Sequence, residues 1–441
     1  MSYLFVFLAN LIYLPAIWFG VVNDDSAALK LNPYNVKRAK IFSIILHIVV
    51  AEYIYIAFGA SQASLVAAIL FSVHPGNIQI PCWMSGKSYG INALIFLMIL
   101  TFAPFATPLY FLSNLSTAAI LFTPLIFLFT KYWYIVLLFP LLVLKSFKGI
   151  TDNINSKVKS NETFFISMPS AFELYKFEPK KLIIAVKTFG YYALACLLPM
   201  KNGFYNSFLT TFGSSKKATA YWYSLNRHFW GGVFAIVLMA AIWWVNKFNF
   251  IGMGIMLFVL SILPFLNFVT VQQFTASRYV YLPLVGFQIA LANLVFLLPL
   301  EPRWAIFGAL FLFYLDRTLR LMKHYKTNDI DMIILDSQVF PENGRLWYYR
   351  TEHMMKKGNP IMAWSEASYG LKYLPEDCQL WFGLACASYE LGDFNAASEF
   401  NKTAERFMIL TERINFKPLI DELKERVKIA LVKKYVGKGR F

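Results

Sequence analysis

The sequence predicts an all-α protein in two parts, a polytopic transmembrane helical bundle over residues 1–322 and a helical-repeat domain with a C-terminal capping helix over residues 323–441. Three observations predict it. Of the 441 residues, 58% are hydrophobic and 18% aromatic, and the mean hydropathy is +0.51, beyond what a soluble chain of this length reaches. Apolar runs long enough, or nearly long enough, to cross a bilayer recur from residue 3 to residue 320. After Asp329 the composition turns charged, and tryptophan, glycine and alanine each recur at a spacing of 34 residues.

The formal charge of +16 raises the question of nucleic acid. The Lys and Arg residues are scattered through loops and the tail and are not gathered into a recognition element, so they read as topology signals and as partners of membrane lipid. The four cysteines, Cys82, Cys196, Cys378 and Cys386, form no CxxC pair and have no histidine at zinc spacing, which indicates neither a metal knuckle nor a disulfide framework.

Met1–Val22 is apolar over about one span and lacks both a basic leader and a small-residue cleavage site, so a retained anchor is expected. Apolar runs follow near 40–58, 62–73, 90–104, 107–129, 132–147, 182–199, 229–246, 250–268, 279–298 and 303–320, about eleven spans with the first. The short runs at 62–73 and 90–104 read as half-helices flanking a polar site. With the N-terminus inside, the lysine-rich loop at 148–181 falls on the cytoplasmic side, and 23–39, 74–89, 200–228, 269–278 and everything after 321 fall together on the outer, periplasmic or lumenal, face.

Those outer loops hold the residues of chemical interest. Asp24 and Asp25 lie just past the first span, where a carboxylate acts as general base on an acceptor hydroxyl or, alternatively, caps the turn at Ala27 or stands in solvent. His47 and Glu52 in the second span are five apart and do not share a helical face well; Glu52 either pairs with a neighbouring helix, as a paired core acid, or faces water. The stretch from His74 to Gly90 breaks the helix with Pro75 and Pro81 and brings His74, Asn77, Lys87 and Ser88 to the surface, a composition suited to cradling a phosphate. Its Ser85-Gly86-Lys87-Ser88 lacks the earlier glycine and the preceding strand of a nucleotide-binding loop. Arg278, in Phe274-Thr-Ala-Ser-Arg-Tyr-Val-Tyr-Leu-Pro283, sets one cation at the mouth of a long apolar run. It either meets an anionic head group or snorkels to water beside a tyrosine belt.

In the C-terminal domain Trp347 and Trp381, Gly358 and Gly392, and Ala363 and Ala397 are 34 apart, the period of the TPR helical hairpin. The tryptophan opens helix A, the glycine makes the turn and the alanine lets helix B pack closely. A degenerate unit at Ile330–Pro341 precedes them, and amphipathic Lys417–Tyr435 caps the stack.

Together these features resemble the GT-C membrane glycosyltransferases, and within them the polyprenyl-phosphate-sugar-dependent O-mannosyltransferase-like proteins that carry C-terminal TPR repeats. The likeness rests on Asp24-Asp25-Ser26 with Asn32, on Leu46-His47, on His74-Pro75 through Trp83-Met84-Ser85-Gly86-Lys87, on Leu197-Leu198-Pro199, and on Ala276-Ser-Arg-Tyr-Val-Tyr-Leu-Pro283 with Gly286. The resemblance implies that Asp24 and Asp25 act at the acceptor. It also implies that Arg278 with Tyr279, and His74 and Lys87 from the second loop, hold the donor phosphate. It departs from the family at Gln79, Tyr89 and Ser277, where acids are usual, and at Thr117-Ala118, where a Lys-Glu pair is usual. That loss of charge weakens any mechanism through a divalent metal, and no cofactor is implied otherwise.

Two functions follow. The first is transfer of a sugar from a polyprenyl-phosphate-linked donor to a hydroxyl, on a protein acceptor held near the TPR groove. The alternative is a non-catalytic scaffold of the same descent whose TPR domain recruits a protein partner. A transporter is disfavoured by the lack of repeated hydropathy between the two halves.

Overall fold

The computed structural model describes residues 2–19, 33–83, 86–102, 122–129, 133–138, 140, 179–200, 203, 223–268, 275–326, 329–408 and 413–436. Every regular element among them is helical. Helix α1 (Ser2–Asn10) passes into a 3₁₀ segment (Leu11–Trp18) that contains Pro15. Helix α2 (Pro33–Ala57) opens on a proline, whose fixed φ suits a first helical position. Helix α3 (Gln62–Val73) is closed at its start by a reciprocal box in which Ser61 and Ser64 each accept the other's backbone N–H. It stops because the residue before a proline is driven to extended backbone, and His74 has φ −74° and ψ 129°. A 3₁₀ turn (Pro75–Asn77) and a single turn of helix, α4 (Gln79–Cys82), then continue at 58° to α3. The short run expected as a half-helix is therefore bent at the His-Pro step.

The bundle continues with α5 (Lys87–Thr101), α6 (Lys181–Leu197), α7 (Arg227–Asn246), α8 (Phe250–Ile262), α9 (Tyr281–Val295, entered through a 3₁₀ turn at Ser277–Val280) and α10 (Leu300–Lys326). Among the described residues, three helical stretches are long and apolar enough to cross a membrane: Val36–Ala57, Arg227–Asn246 and Ser277–Val295. The bent pair at 62–82 makes a fourth if it is one span. Ser2–Trp18, Lys87–Thr101 and Phe250–Phe265 are shorter apolar helices, and most of the runs at 107–129 and 132–147 lies outside the described residues. Helix α10 is amphipathic: Tyr314, Thr318, Leu321, Met322 and Tyr325 are buried at helical spacing, while Asp316 and Arg320 pair in solvent. It runs without a break past the expected domain boundary at 322.

One continuous core joins α1, α2, α3, α5, α6, α8 and α9. Two helix crossings depend on glycine, Gly190 of α6 against Gly232 of α7 and, within the core, Gly254 of α8 against Gly286 of α9. Helix α7 is the outlier, with only 6% of its apolar window buried and with Phe234 and Val245 facing outward.

The C-terminal part is α11 (Asp329–Val339), α12 (Gly344–Lys356), α13 (Pro360–Tyr373), α14 (Cys378–Glu390), α15 (Phe394–Phe407) and α16 (Arg413–Val436). Two hairpins, α12–α13 and α14–α15, start 378 − 344 = 34 and 394 − 360 = 34 residues apart. They repeat one hydrogen bond: Trp347 Nε1–H donates to the Pro341 carbonyl at 2.8 Å and Trp381 Nε1–H to the Pro375 carbonyl at 2.9 Å. Gly358 (φ +69°) and Gly392 (φ +77°) make the two hairpin turns in backbone that favours glycine. Ala363 and Ala397 are fully buried between helices. Helix α16 lays Phe416, Ile420, Leu423 and Val427 over the last hairpin, covering the face that a stacked repeat leaves bare.

Candidate functional site

Arg278 is positioned by its neighbours in the chain. Ala276 is extended and its N–H donates to the Tyr192 hydroxyl at 3.2 Å, after which the chain turns at once into the 3₁₀ segment. The Arg278 N–H donates to Gln79 Oε1 at 3.2 Å, joining two stretches 199 residues apart. Its guanidinium lies over the Trp83 ring at 5.4 Å and the Tyr279 ring at 5.0 Å, and it hydrogen-bonds the Tyr89 hydroxyl. Tyr279 in turn stacks on Phe265 with centroids 4.3 Å apart and rings 6° from parallel. Aromatic faces satisfy a cation that the bundle half buries.

His74 spends both ring nitrogens on the protein. Nδ1 accepts the Gly76 N–H at 3.0 Å, which leaves the proton on Nε2 to donate to the Cys196 carbonyl at 3.1 Å. The Tyr314 hydroxyl donates to the carbonyls of Cys196 and Leu197, and its ring meets His74 edge-on at 4.5 Å. Thr318 Oγ1 donates to the Val73 carbonyl at 2.7 Å. Three separated pieces of chain, at 73–74, 196–197 and 314–318, are thus fastened together where α3 and α6 end. Deeper in the bundle Tyr281 donates its hydroxyl proton to His47 Nδ1 at 2.8 Å, while Nε2–H faces the Ser72 carbonyl at 3.4 Å. Glu52 is half-buried, and its Oε2 has no hydrogen-bond partner among the described residues.

Of the six residues singled out in the sequence, Arg278 and Tyr279 share one cluster, His74 stands at the neighbouring helix junction, and Lys87 is exposed at the first position of α5, two residues before Tyr89. Asp24 and Asp25 lie outside the described residues. The stem of their loop is described. Phe19, five residues before Asp24, accepts the Lys40 ammonium on its carbonyl at 2.7 Å and belongs to the same apolar cluster as Cys82, Trp83, Met322 and Tyr325.

Gln79, Tyr89 and Ser277 stand where the resembled family carries acids. Gln79 and Tyr89 are neutral and engaged with Arg278, and Ser277 is buried. A hard divalent cation takes carboxylate-rich oxygen sets. These three positions do not fit one.

Sequence reasoning missed Tyr89 as the partner of Arg278, Trp83 as its platform, and a second feature altogether. A cavity of about 1230 Å³ lies between α6, α7, α8 and α9 and the connections that precede α12 and α14. Its wall is apolar apart from Lys187, Arg227 and His228 on α6 and α7, the tyrosines Tyr191 and Tyr373, and Glu342 and Glu376 from the repeat domain. The available signal was Lys187, a charge in the middle of the apolar run at 182–199.

No protein-family model, curated protein or solved structure matches the chain.

Proposed function

We propose that the chain is a membrane glycosyltransferase of the GT-C type, moving a sugar from a polyprenyl-phosphate-linked donor to a hydroxyl on the outer face. One observation carries this reading: the stem of the Asp24-Asp25 loop at Phe19, the second-loop residues Gln79 and Trp83, and Arg278 meet beside α10. Asp24 follows Phe19 by five residues, so its Cα is within about 18 Å of chain from that cluster. In this reading the carboxylate of Asp25 or Asp24 takes the acceptor's hydroxyl proton as the oxygen attacks the anomeric carbon. The bond from that carbon to the phosphate oxygen breaks, its electron pair leaves on the phosphate, and Arg278 faces the charge that develops. Lys87 adds positive charge at the mouth, while His74 acts as the clamp that orders the junction. The helical repeats are read as TPR units on the same face, with about eleven spans in the whole bundle. A groove of about 390 Å³ lined by Ile361, Trp364, Leu391 and Phe400 is the place for a protein acceptor.

The scaffold reading is favoured by one specific observation, the aromatic enclosure of Arg278 by Trp83, Tyr279 and Tyr89. Transfer of radiolabelled sugar from polyprenyl-phosphate donors to hydroxyl-bearing peptides, using membranes that contain the full chain, separates the two. Incorporation that depends on Asp25 and Arg278 supports the transferase, and no incorporation across a broad donor and acceptor panel supports the scaffold.

A further inference from the structure

The cavity of about 1230 Å³ is separate from the Arg278 cluster, since none of His74, Gln79, Trp83, Lys87, Tyr89, Arg278 or Tyr279 lines it. It exceeds the roughly 300–1,000 Å³ of ordinary small-molecule pockets. One wall is α7, whose lining residues Phe234 (68% exposed) and Leu238 (46% exposed) continue into the helix surface that faces outward. An opening on that side gives onto the hydrocarbon of a bilayer, and the occupant it admits enters laterally.

The polar groups of the cavity come from two parts of the chain. Gly232 of α7 packs directly on the Val186 carbonyl of α6, so Lys187 stands next to the crossing, and Arg227 and His228 precede Gly232 by about one turn. Arg227 and Lys187 both lie within electrostatic range of His228, whose imidazole serves as a ring N–H donor and adds no charge. The two carboxylates, Glu342 and Glu376, come instead from the turns before α12 and α14, and Glu342 acts on Tyr191. Phe340, Tyr373, Leu374 and Pro375 close the cavity from the repeat side. Two cations on the membrane helices, Lys187 and Arg227, an apolar wall on the outward side of α7 and an aromatic cover from the repeat domain together select an amphiphile with an anionic head.

We propose that this cavity binds one anionic phospholipid of the bilayer, its phosphate at Lys187, Arg227 and His228 and an acyl chain along α7 and α9. The lipid thereby ties the helical-repeat domain to the bundle. Arginine and lysine at a phosphate form charge-assisted hydrogen bonds, and a lipid that binds only the folded chain raises its thermal midpoint by mass action. The site does not depend on sugar transfer and survives if the chain proves to be a scaffold.

The test uses the full chain in nanodiscs of phosphatidylcholine with and without phosphatidylglycerol, and native mass spectrometry of the protein released from them. About one retained phosphatidylglycerol per chain is expected, with a higher melting midpoint of the repeat domain in the mixed bilayer. Lys187→Met with Arg227→Gln is expected to lower retention about tenfold and to remove the lipid-dependent rise. Gly231→Phe is the second variant: Gly231 lines the cavity, and a Cβ there meets nothing within 4 Å, so the ring narrows the space without removing a charge. It is expected to lower retention with the midpoint in pure phosphatidylcholine not lowered. Full retention in both variants overturns the proposal, as does equal retention of phosphatidylcholine. Displacement of phosphatidylglycerol by a stoichiometric polyprenyl phosphate also overturns it, because the cavity then belongs to the donor; sugar transfer that persists while retention is lost leaves the transferase reading intact.

Discussion

Gly254 on α8 and Gly286 on α9 face each other with no side chain between them, so that a Cβ on Gly254 would stand 2.5 Å from the Gly286 carbonyl oxygen. A Cβ on Gly286 would in turn meet the Gly254 carbonyl and the Phe258 amide nitrogen. In a bilayer, helices gain little from burying apolar surface against one another, and close backbone approach through small residues supplies the packing instead. Helix α9 carries Arg278 at its entrance, so this crossing also sets where that cation lies.

Gly286→Leu is therefore expected to push α8 and α9 apart and destabilise the bundle by about 1–3 kcal/mol, the usual cost of overpacking. Gly231→Ala provides the contrast. Its Cβ points into open space, and alanine is the better helix former by about 1 kcal/mol. Thermal melts of the two variants in the same detergent should move in opposite directions. Equal effects would show that the α8–α9 crossing is not packed as described.

At the site, Asp25→Asn keeps the shape and removes the basicity. If the chain is a transferase, turnover should fall by roughly 10²–10⁴-fold with the fold intact, the range for loss of a general base. Arg278→Ala removes the positive charge over Trp83 and Tyr279 and should raise the KM for the lipid-linked donor, lower turnover, or both. Initial rates against donor concentration distinguish the two effects. Unchanged rates in both variants would exclude this site.

The helical-repeat domain is held by a partly buried ion pair. Arg350 Nη2 donates to Glu366 Oε1 at 2.7 Å, its Nη1 donates to Ser337 Oγ at 2.7 Å, and the guanidinium lies 4.6 Å above the Trp347 ring. The two side chains are 13% and 11% exposed. Glu366→Ala strands the arginine and is expected to cost about 3 kcal/mol, the low end for breaking a buried pair. Replacing both residues by apolar side chains of similar volume should cost less. Chemical denaturation followed at the tryptophans measures both, and a smaller loss for Glu366→Ala than for the double replacement would refute the pair's role.

Cys386 is on α14 and packs against α16, where burial pushes its thiol up to about 12, with Arg426 pulling it down and Glu390 and Glu422 pushing it up. The thiolate is the reactive form, so at pH 8 its alkylation should run roughly a thousandfold slower than that of a thiol near 8.5. As the pH rises past about 8.5 the unfolded chain loses the proton first, and stability that is fully present below that pH is lost on the alkaline side. Peptide mass spectrometry after timed alkylation checks the first statement. Melts from pH 7 to 10 for the wild type and Cys386→Ala check the second, and a wild-type midpoint no more alkali-sensitive than the variant's would contradict it.

The most legible part of the chain was the C-terminal domain, because its signals are local. A tryptophan bond to a carbonyl six residues back, a positive-φ glycine and a buried alanine each repeat in sequence as they repeat in space. The break at His74 was legible for the same reason, since a proline acts on the residue before it. The role of His74 was not, for the carbonyl that takes its proton belongs to Cys196, 122 residues away. Tyr89 is a similar case: nothing local marks it as the side chain that meets Arg278.

What the sequence determined alone is the class of structure: helices throughout the described residues, an apolar body with a charged helical-repeat end, and a cation at the mouth of a long apolar run. Periodicity, composition and proline chemistry operate within a few residues, and a single chain displays them directly. Only the tertiary structure decided which side chains surround that cation and that α10 joins both parts without a break. It also decided that Lys187, Arg227 and His228 border a cavity shared with Glu342 and Glu376. Those relations depend on which helices cross and at what distance, and the crossings turn on pairs such as Gly190 with Gly232 and Gly254 with Gly286, whose partners no local pattern identifies.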